Sequence, residues 1–190
     1  MNLPNQLSFF RLFLSFVILF LFPVQGVVIK VAVFSIFTLA SLTDYWDGRI
    51  ARRTGQITSL GRFLDPVADK TLTFSALFGF LRLGLIAPWM LALIVFRDLL
   101  VTGLRLAMPQ ESKSIEAQNS GKHKTVIQFT AIILILLYLI ARETVFWRAS
   151  WTPLSLKIID VGMFFVVMST LYSGAIYIYS NRNNFTGRKS

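Results

Sequence analysis

The sequence predicts an all-α, polytopic membrane protein with six transmembrane helices. Three observations carry this. Hydrophobic residues make up 55% of the 190-residue chain and charged residues only 15%, a balance unlike that of a soluble domain. Eighteen phenylalanines would overfill a water-soluble core of this size. Six apolar segments, each near the roughly 20 residues a helical span needs, consume most of the chain. The whole of 1–190 therefore reads as one integral-membrane domain, with no room for a large soluble one.

The segments run at about 7–26, 28–50, 61–83, 86–106, 123–142 and 155–180. The first has no lysine-rich leader and no cleavage pattern, so it reads as a span. The second ends in a charged stretch from Asp44 to Arg53. Gly55 is a natural helix stop after it, and Thr58 or Ser59 a natural cap for the third. The fourth carries Arg97, Asp98 and Arg105. The longest polar stretch, Pro109 to Lys124, is predicted as a loop before the fifth. Trp147 and Trp151 precede the sixth and suggest an aromatic belt at the outer interface.

The formal net charge is +10. With six spans, the side holding the N-terminus also holds the second and fourth loops and the C-terminal tail. That side carries Arg49, Arg52, Arg53, Arg62, Arg105, Lys113, Lys122, Lys124, Arg182, Arg188 and Lys189. The other side has Lys30, Arg82, Arg142, Arg148 and Lys157. The positive-inside rule then puts both termini in the cytoplasm, against anionic headgroups. Nucleic acid is not an expected partner, because the basic residues sit between apolar runs.

The residues that are missing narrow the chemistry. Without cysteine there is no disulfide, thiolate zinc site, iron–sulfur cluster or cysteine nucleophile. The single histidine, His123, excludes a multi-histidine metal site. An intrinsic metal would need oxygen ligands, which favours magnesium, manganese or calcium.

Four of the nine acids, Asp44, Asp47, Asp65 and Asp69, fall within 26 residues at the ends of the second and third segments. A carboxylate at a span centre costs about 2.5–3.5 kcal/mol on insertion scales, and less near an end. Four together would also repel one another unless cations neutralise them. Asp44 and Asp47 are three apart and Asp65 and Asp69 four apart, so each pair shares a helix face. A reversal at Arg53–Ser59 would bring the pairs to one end of an antiparallel hairpin. Gly48, Ala51 and Gly61 are small enough to allow close helix approach and room for a ligand. Four carboxylates without His or Cys describe a hard, magnesium-like site. The alternative for each aspartate alone is a surface ion pair with Arg49, Arg52, Arg53 or Lys70.

The run Asp44-Tyr-Trp-Asp47-Gly48-Arg-Ile-Ala51-Arg52, followed at fixed spacing by Gly61, Asp65 and Asp69, resembles the signature D-x2-D-G-x2-A-R-x8-G-x3-D-x3-D of the CDP-alcohol phosphatidyltransferases. No position departs from it. The resemblance extends beyond the signature. Asn2-Leu-Pro-Asn5-Gln-Leu-Ser8-Phe-Phe-Arg11, Leu64 to Lys70, Arg97 to Arg105 and Gly121 to Gln128 are similar to the branch that uses glycerol 3-phosphate. Ser8 stands there for a commoner threonine and Asp98 for a commoner glutamate.

What the resemblance implies is specific. The fold would have six transmembrane helices, usually as a homodimer, in a bacterial inner membrane with the active site facing the cytoplasm. The reaction would move the phosphatidyl group of CDP-diacylglycerol to glycerol 3-phosphate and release CMP. Asp44, Asp47, Asp65 and Asp69 would hold two divalent cations, Mg2+ or Mn2+, and Asp69 would also be the general base. Asn5, Ser8, Arg11, Gly48, Arg52 and Thr58 would bind the CDP-lipid. Arg97, Arg105, Lys122 and Lys124 would take the acceptor phosphate. Arg97 and Arg105, eight apart, lie about 80° around a helix and can share a broad face. Snorkelling of these basic side chains to headgroups is the plainer alternative. Asp98, as a sequence neighbour of Arg97, is expected to point elsewhere and receives no role. Asp160, Glu143 and His123 are expected to serve local structure.

Two rival functions remain at this point. One is a sibling enzyme with another acceptor, such as inositol phosphate, serine or a second phospholipid. The other is a cation transporter with a four-aspartate site. The clustering of acids at one membrane face weighs against the transporter, whose sites lie near the midplane.

Overall fold

The computed structural model describes the backbone of residues 3–54, 59–107 and 115–182, and the side chains of 6–43, 66–104 and 123–182. All regular structure in these residues is helical. Six helices follow in order: α1 (Leu3–Leu21), α2 (Val27–Thr54), α3 (Ser59–Arg82), α4 (Pro88–Ala107), α5 (Ile115–Arg142) and α6 (Thr152–Ser180), with a short 3-10 turn at Ala149–Trp151 before α6. Pro4, Pro88 and Pro153 sit in first turns, where a missing N–H costs nothing.

Helix ends differ from the apolar boundaries for identifiable reasons. α1 stops at Leu21, five residues early, because Pro23 biases Phe22 away from helical dihedrals. Gly26, at φ 114°, then makes the turn that a side chain would resist. α3 ends similarly, with Gly84 at φ 69° in the left-handed C-terminal position. α2 ends at Thr54 and α3 begins at Ser59; the reversal expected at Arg53–Ser59, with Gly55 and Thr58, lies in 55–58, outside the described residues. The stretch Pro109 to Lys124, expected as a loop, is helical from Ile115 onward. Glu116, Ala117 and Gln118 are good helix formers, and polarity does not lower that propensity.

Six helices therefore match six predicted segments. Among the described residues, two stretches, His123–Arg142 and Ala149–Ser180, are long and apolar enough to cross a membrane. Gln6–Leu21 and Val27–Thr43 are shorter apolar helices. Charged residues such as Arg97, Asp98 and Arg105 interrupt the others.

The chain forms two compact units. The first comprises residues 1–84 and 133–151. In it α1 packs against both α3 and α2, and α2 meets α3 over a smaller region. The buried stripe of α1 is Ser8, Arg11, Ser15, Ile18 and Phe22, a 3-4-3-4 spacing. It meets Leu72, Ala76, Leu77 and Phe80 of α3 and Val33, Phe37 and Ala40 of α2 in one core. Phe22 meets Phe80 edge to face, with centroids 5.5 Å apart. Gly79 makes that approach possible, since a Cβ there would collide with the Phe22 ring.

Lys30 is buried in this unit. Its Nζ donates to the carbonyls of Phe22 at 2.7 Å and Val24 at 2.9 Å. These acceptors lie just past the C-terminus of α1, where a cation suits the helix dipole. Gly26 N–H donates to Glu143 Oε2 at 3.2 Å, tying the α1–α2 turn to the end of α5. Glu143 thus serves local structure, and Lys30 is a cap rather than a free topogenic charge. Tyr138, Trp147 and Trp151 stack edge to face in series, with Arg148 over Trp151.

The second unit comprises residues 85–132 and 152–190. Here α4 packs on α6, with Val101, Tyr177, Leu100 and Leu104 in one apolar cluster. In both units, large apolar side chains also face outward and some charged or polar ones are buried. Phe9, Phe13, Phe16 and Phe20 of α1, and Ile158, Val161, Phe165 and Met168 of α6, are exposed. Arg11, Lys30, Asp98, Lys124 and Gln128 are buried. That exterior suits hydrocarbon, not water. Hydroxyls are folded back onto their own helices, as with Ser15 on the Arg11 carbonyl and Ser75 on that of Thr71, both at 2.8 Å.

The Phe22–Gly79 contact predicts that Gly79→Ala will destabilise the protein by about 1–3 kcal/mol through overpacking. Phe22→Leu in the same chain should recover part of the loss. Thermal unfolding of the two single variants and the double variant in detergent gives the measurement; equal losses with and without Phe22→Leu would show that the collision is not the cause.

Candidate active site

Unit 1 carries the acidic residues. The helical backbone of α2 puts Asp44 and Asp47 on one face, and that of α3 does the same for Asp65 and Asp69. α2 and α3 are consecutive in the chain and touch. Both pairs fall in the half of each helix nearest the segment between them. Pro66, between Asp65 and Asp69, has no N–H to return to the carbonyl four residues back, so one rung of the α3 ladder is missing there.

The side chains of Asp44, Asp47 and Asp65 lie outside the described residues, as do those of Asn5, Gly48 and Arg52 and all of Thr58. Among the described residues, no three acidic or histidine side chains gather around a metal position. Asp69 is described. Its side chain is partly exposed, and Lys70 Nζ stands 3.6 Å from Oδ2, beyond hydrogen-bond length. Its carbonyl accepts from Thr73 Oγ1 at 3.2 Å. An all-oxygen donor set without Cys or multiple His fits a hard divalent cation. Ser8 and Arg11 occupy the polar end of the buried α1 stripe.

Unit 2 carries the basic cluster, and here one expectation is overturned. Asp98 does not point away from Arg97. Arg97 Nη1 donates to Asp98 Oδ1 at 3.0 Å. Lys124 Nζ donates to both Asp98 oxygens, at 2.5 and 2.6 Å. The Asp98 side chain is wholly buried. Residues i and i+1 diverge on a helix, but the long arginine stem curls back. A buried carboxylate attracts it strongly, because leaving that charge unpaired would be costly. The signal was present in the sequence. Asp98 continues the stripe Leu91, Ile94 and Val101 of α4, where an apolar residue belongs. An acid at such a position requires cations.

The other contacts come from α6 and α5. Arg97 Nη2 donates to Ser173 Oγ at 2.7 Å. A Cβ on Gly174 would lie 3.0 Å from Arg97 Cγ and 3.3 Å from Nε, so glycine makes room for that side chain. Gln128, one turn beyond Lys124, is buried with neither amide atom hydrogen-bonded. Lys124 is buried on Asp98 and does not snorkel. The side chains of Arg105 and Lys122 lie outside the described residues.

A family model described as CDP-alcohol phosphatidyltransferase matches residues 1–172. The chain belongs to the CDP-alcohol phosphatidyltransferase family. It is similar, at 33% identity over 95% of both chains, to the CDP-diacylglycerol--glycerol-3-phosphate 3-phosphatidyltransferase of Bacillus subtilis. A protein of the same name from Shigella flexneri is 32% identical, again over 95% of both chains. A probable phosphatidylglycerophosphate synthase of Mycobacterium tuberculosis is 42% identical over 72% of this chain and 66% of its own. Membership makes this CDP-alcohol phosphatidyltransferase an enzyme of phospholipid biosynthesis. Ser173 and Gly174 lie just past the matched residues.

The geometry of Asp98 predicts an asymmetry in stability. Lys124→Met leaves a buried carboxylate with one cation fewer and should cost about 3–5 kcal/mol. Adding Asp98→Leu should restore much of this. Thermal unfolding of both variants tests it, and a double variant no more stable than the single one would argue against a buried ion pair.

Proposed function

We propose that this enzyme transfers the phosphatidyl group of CDP-diacylglycerol to glycerol 3-phosphate, releasing CMP, in the synthesis of phosphatidylglycerol and related anionic lipids. The observation that supports the reading is an intact aspartate signature carried by two consecutive helices that touch. The names of full-length relatives support glycerol 3-phosphate as the acceptor.

Asp44, Asp47, Asp65 and Asp69 would hold two divalent cations, Mg2+ or Mn2+. When bound, these would neutralise the diphosphate and polarise the phosphorus under attack. The protein's own residues do the rest. Asp69 takes the proton of the glycerol hydroxyl, and its partly exposed carboxylate has lone pairs to accept it. The hydroxyl oxygen forms a bond to the lipid-linked phosphorus, and the bond from that phosphorus to the CMP oxygen breaks. Gly48 permits close approach of the nucleotide, and Arg52 can fork onto phosphate. Asn5, Ser8, Arg11 and Thr58 complete the donor site. Arg97, Arg105, Lys122 and Lys124 receive the acceptor's phosphate. Catalysis by positioning and charge neutralisation is what phosphoryl transfer requires.

The apolar exterior supports an enzyme whose six helices cross the membrane, with both termini and the active site in the cytoplasm of a bacterial cell. Membrane lipids and a second copy of the chain are the remaining partners.

CMP release by the purified protein, across a panel of acceptors, tests the reading. We expect turnover with glycerol 3-phosphate that requires Mg2+ or Mn2+ and disappears with EDTA. Asp69→Asn should fall to near background, a loss on the order of the 10²–10⁴-fold typical of a general base. Arg105→Ala should chiefly weaken use of the acceptor. Turnover only with inositol phosphate, serine or a phospholipid would select a sibling activity. Metal flux into liposomes without lipid turnover would select a transporter.

A further inference from the structure

The arrangement around Arg97 reaches beyond the residues that any signature block supplies. Residues of two helices of unit 2, α4 and α6, hold its side chain. Asp98 of α4 accepts from Nη1 at 3.0 Å, and Ser173 of α6 accepts from Nη2 at 2.7 Å. Gly174 of α6 leaves a berth for the stem, since a Cβ there would press on Cγ and Nε. Asp98 also fixes the Lys124 ammonium through both of its oxygens. Among the described residues, the two cations and one carboxylate of this cluster carry one formal positive charge.

A purely structural network would use up its hydrogen-bonding capacity, because buried polar atoms are rarely left unmatched. This one does not. Arg97 Nε, both amide atoms of Gln128 and Thr170 Oγ1 are buried without partners. Gln128 follows Lys124 by one turn of α5, and Thr170 precedes Ser173 and Gly174 by one turn of α6. The unmatched atoms thus lie on the same helix faces as the matched ones. Residual positive charge with spare hydrogen-bonding groups is the make-up of a receptor for an oxyanion.

We propose that Asp98, Ser173 and Gly174 are positioning residues that hold Arg97 and Lys124 as a preorganised receptor for a phosphate monoester, the acceptor of the reaction. The inference rests on the functional reading above for the identity of that acceptor. None of the three touches the ligand. They act by fixing the two cations, so that little ordering remains to be done when the phosphate arrives.

The test separates this claim from the reading it rests on. Binding is followed in the purified full-length protein by ligand-dependent thermal stabilisation, with glycerol 3-phosphate, inorganic phosphate and glycerol as probes. Steady-state CMP release is measured in parallel. In the wild type, the two phosphates should raise the unfolding midpoint and glycerol should not. Ser173→Ala removes one hydrogen bond and should weaken glycerol 3-phosphate binding about three- to tenfold. Gly174→Val should act in the same direction. Asp98→Asn should raise KM for glycerol 3-phosphate by about tenfold or more, while KM for CDP-diacylglycerol stays within about twofold. Asp98→Glu should largely restore it. If Asp98→Asn fails to fold, Ser173→Ala decides the matter. Unchanged phosphate binding and unchanged acceptor KM in Ser173→Ala and Gly174→Val would overturn the proposal, even with full turnover in the wild type. Phosphate binding that depends on these residues, in a protein that does not turn over glycerol 3-phosphate, would uphold it and overturn the functional reading instead.

Discussion

The structure depends on one constraint: an ionised side chain enclosed among apolar atoms must find a counter-charge or a set of dipoles. The described residues meet this in two different ways. Lys30 is neutralised by dipoles, the carbonyls of Phe22 and Val24 past the end of α1. Asp98 is matched by two cations from its own chain, Arg97 and Lys124.

The same constraint shapes packing. α1 presents one stripe that changes character along its length, from Phe22 and Ile18 to Ser15, Arg11 and Ser8. The apolar end meets Phe80 through the space left at Gly79. One helix thus anchors the core of unit 1 at one end and buries polar groups at the other. The phenylalanines of α1 that do not pack are turned outward.

Much of this could be read from the residues, for reasons that differ by feature. The helices were legible because each contains an apolar run that leaves a compositional trace, although only two such runs are long and apolar enough to cross a membrane among the described residues. The aspartate pairs were legible because helical periodicity fixes which positions share a face. The start of α5 at Ile115 was missed because apolarity locates spans, whereas helix propensity locates helices, and Glu116 to Gln118 satisfy only the second criterion. The Asp98 cluster was missed for a different reason. Neighbours at i and i+1 were treated as divergent, although the stripe of Leu91, Ile94 and Val101 had already assigned Asp98 to the buried face. Ser173 and Gly174 were beyond reach. Their significance comes from Arg97, 76 and 77 positions away, and nothing local to α6 announces it.

The partial neutralisation of Arg97 and Lys124 has a catalytic logic. The acceptor's phosphate monoester is not consumed in the proposed reaction, because the product lipid still carries it. A receptor with two unopposed cations would hold substrate and product alike, and uniform binding of that kind does not raise turnover. It would also slow release of a product already retained by its acyl chains. Asp98 removes one of the two positive charges while keeping both donors in fixed positions. Recognition then rests on geometry more than on net attraction. On this view the buried carboxylate sets how long the phosphate stays. An acid in the middle of an anion receptor is then not a contradiction but the element that allows the receptor to let go.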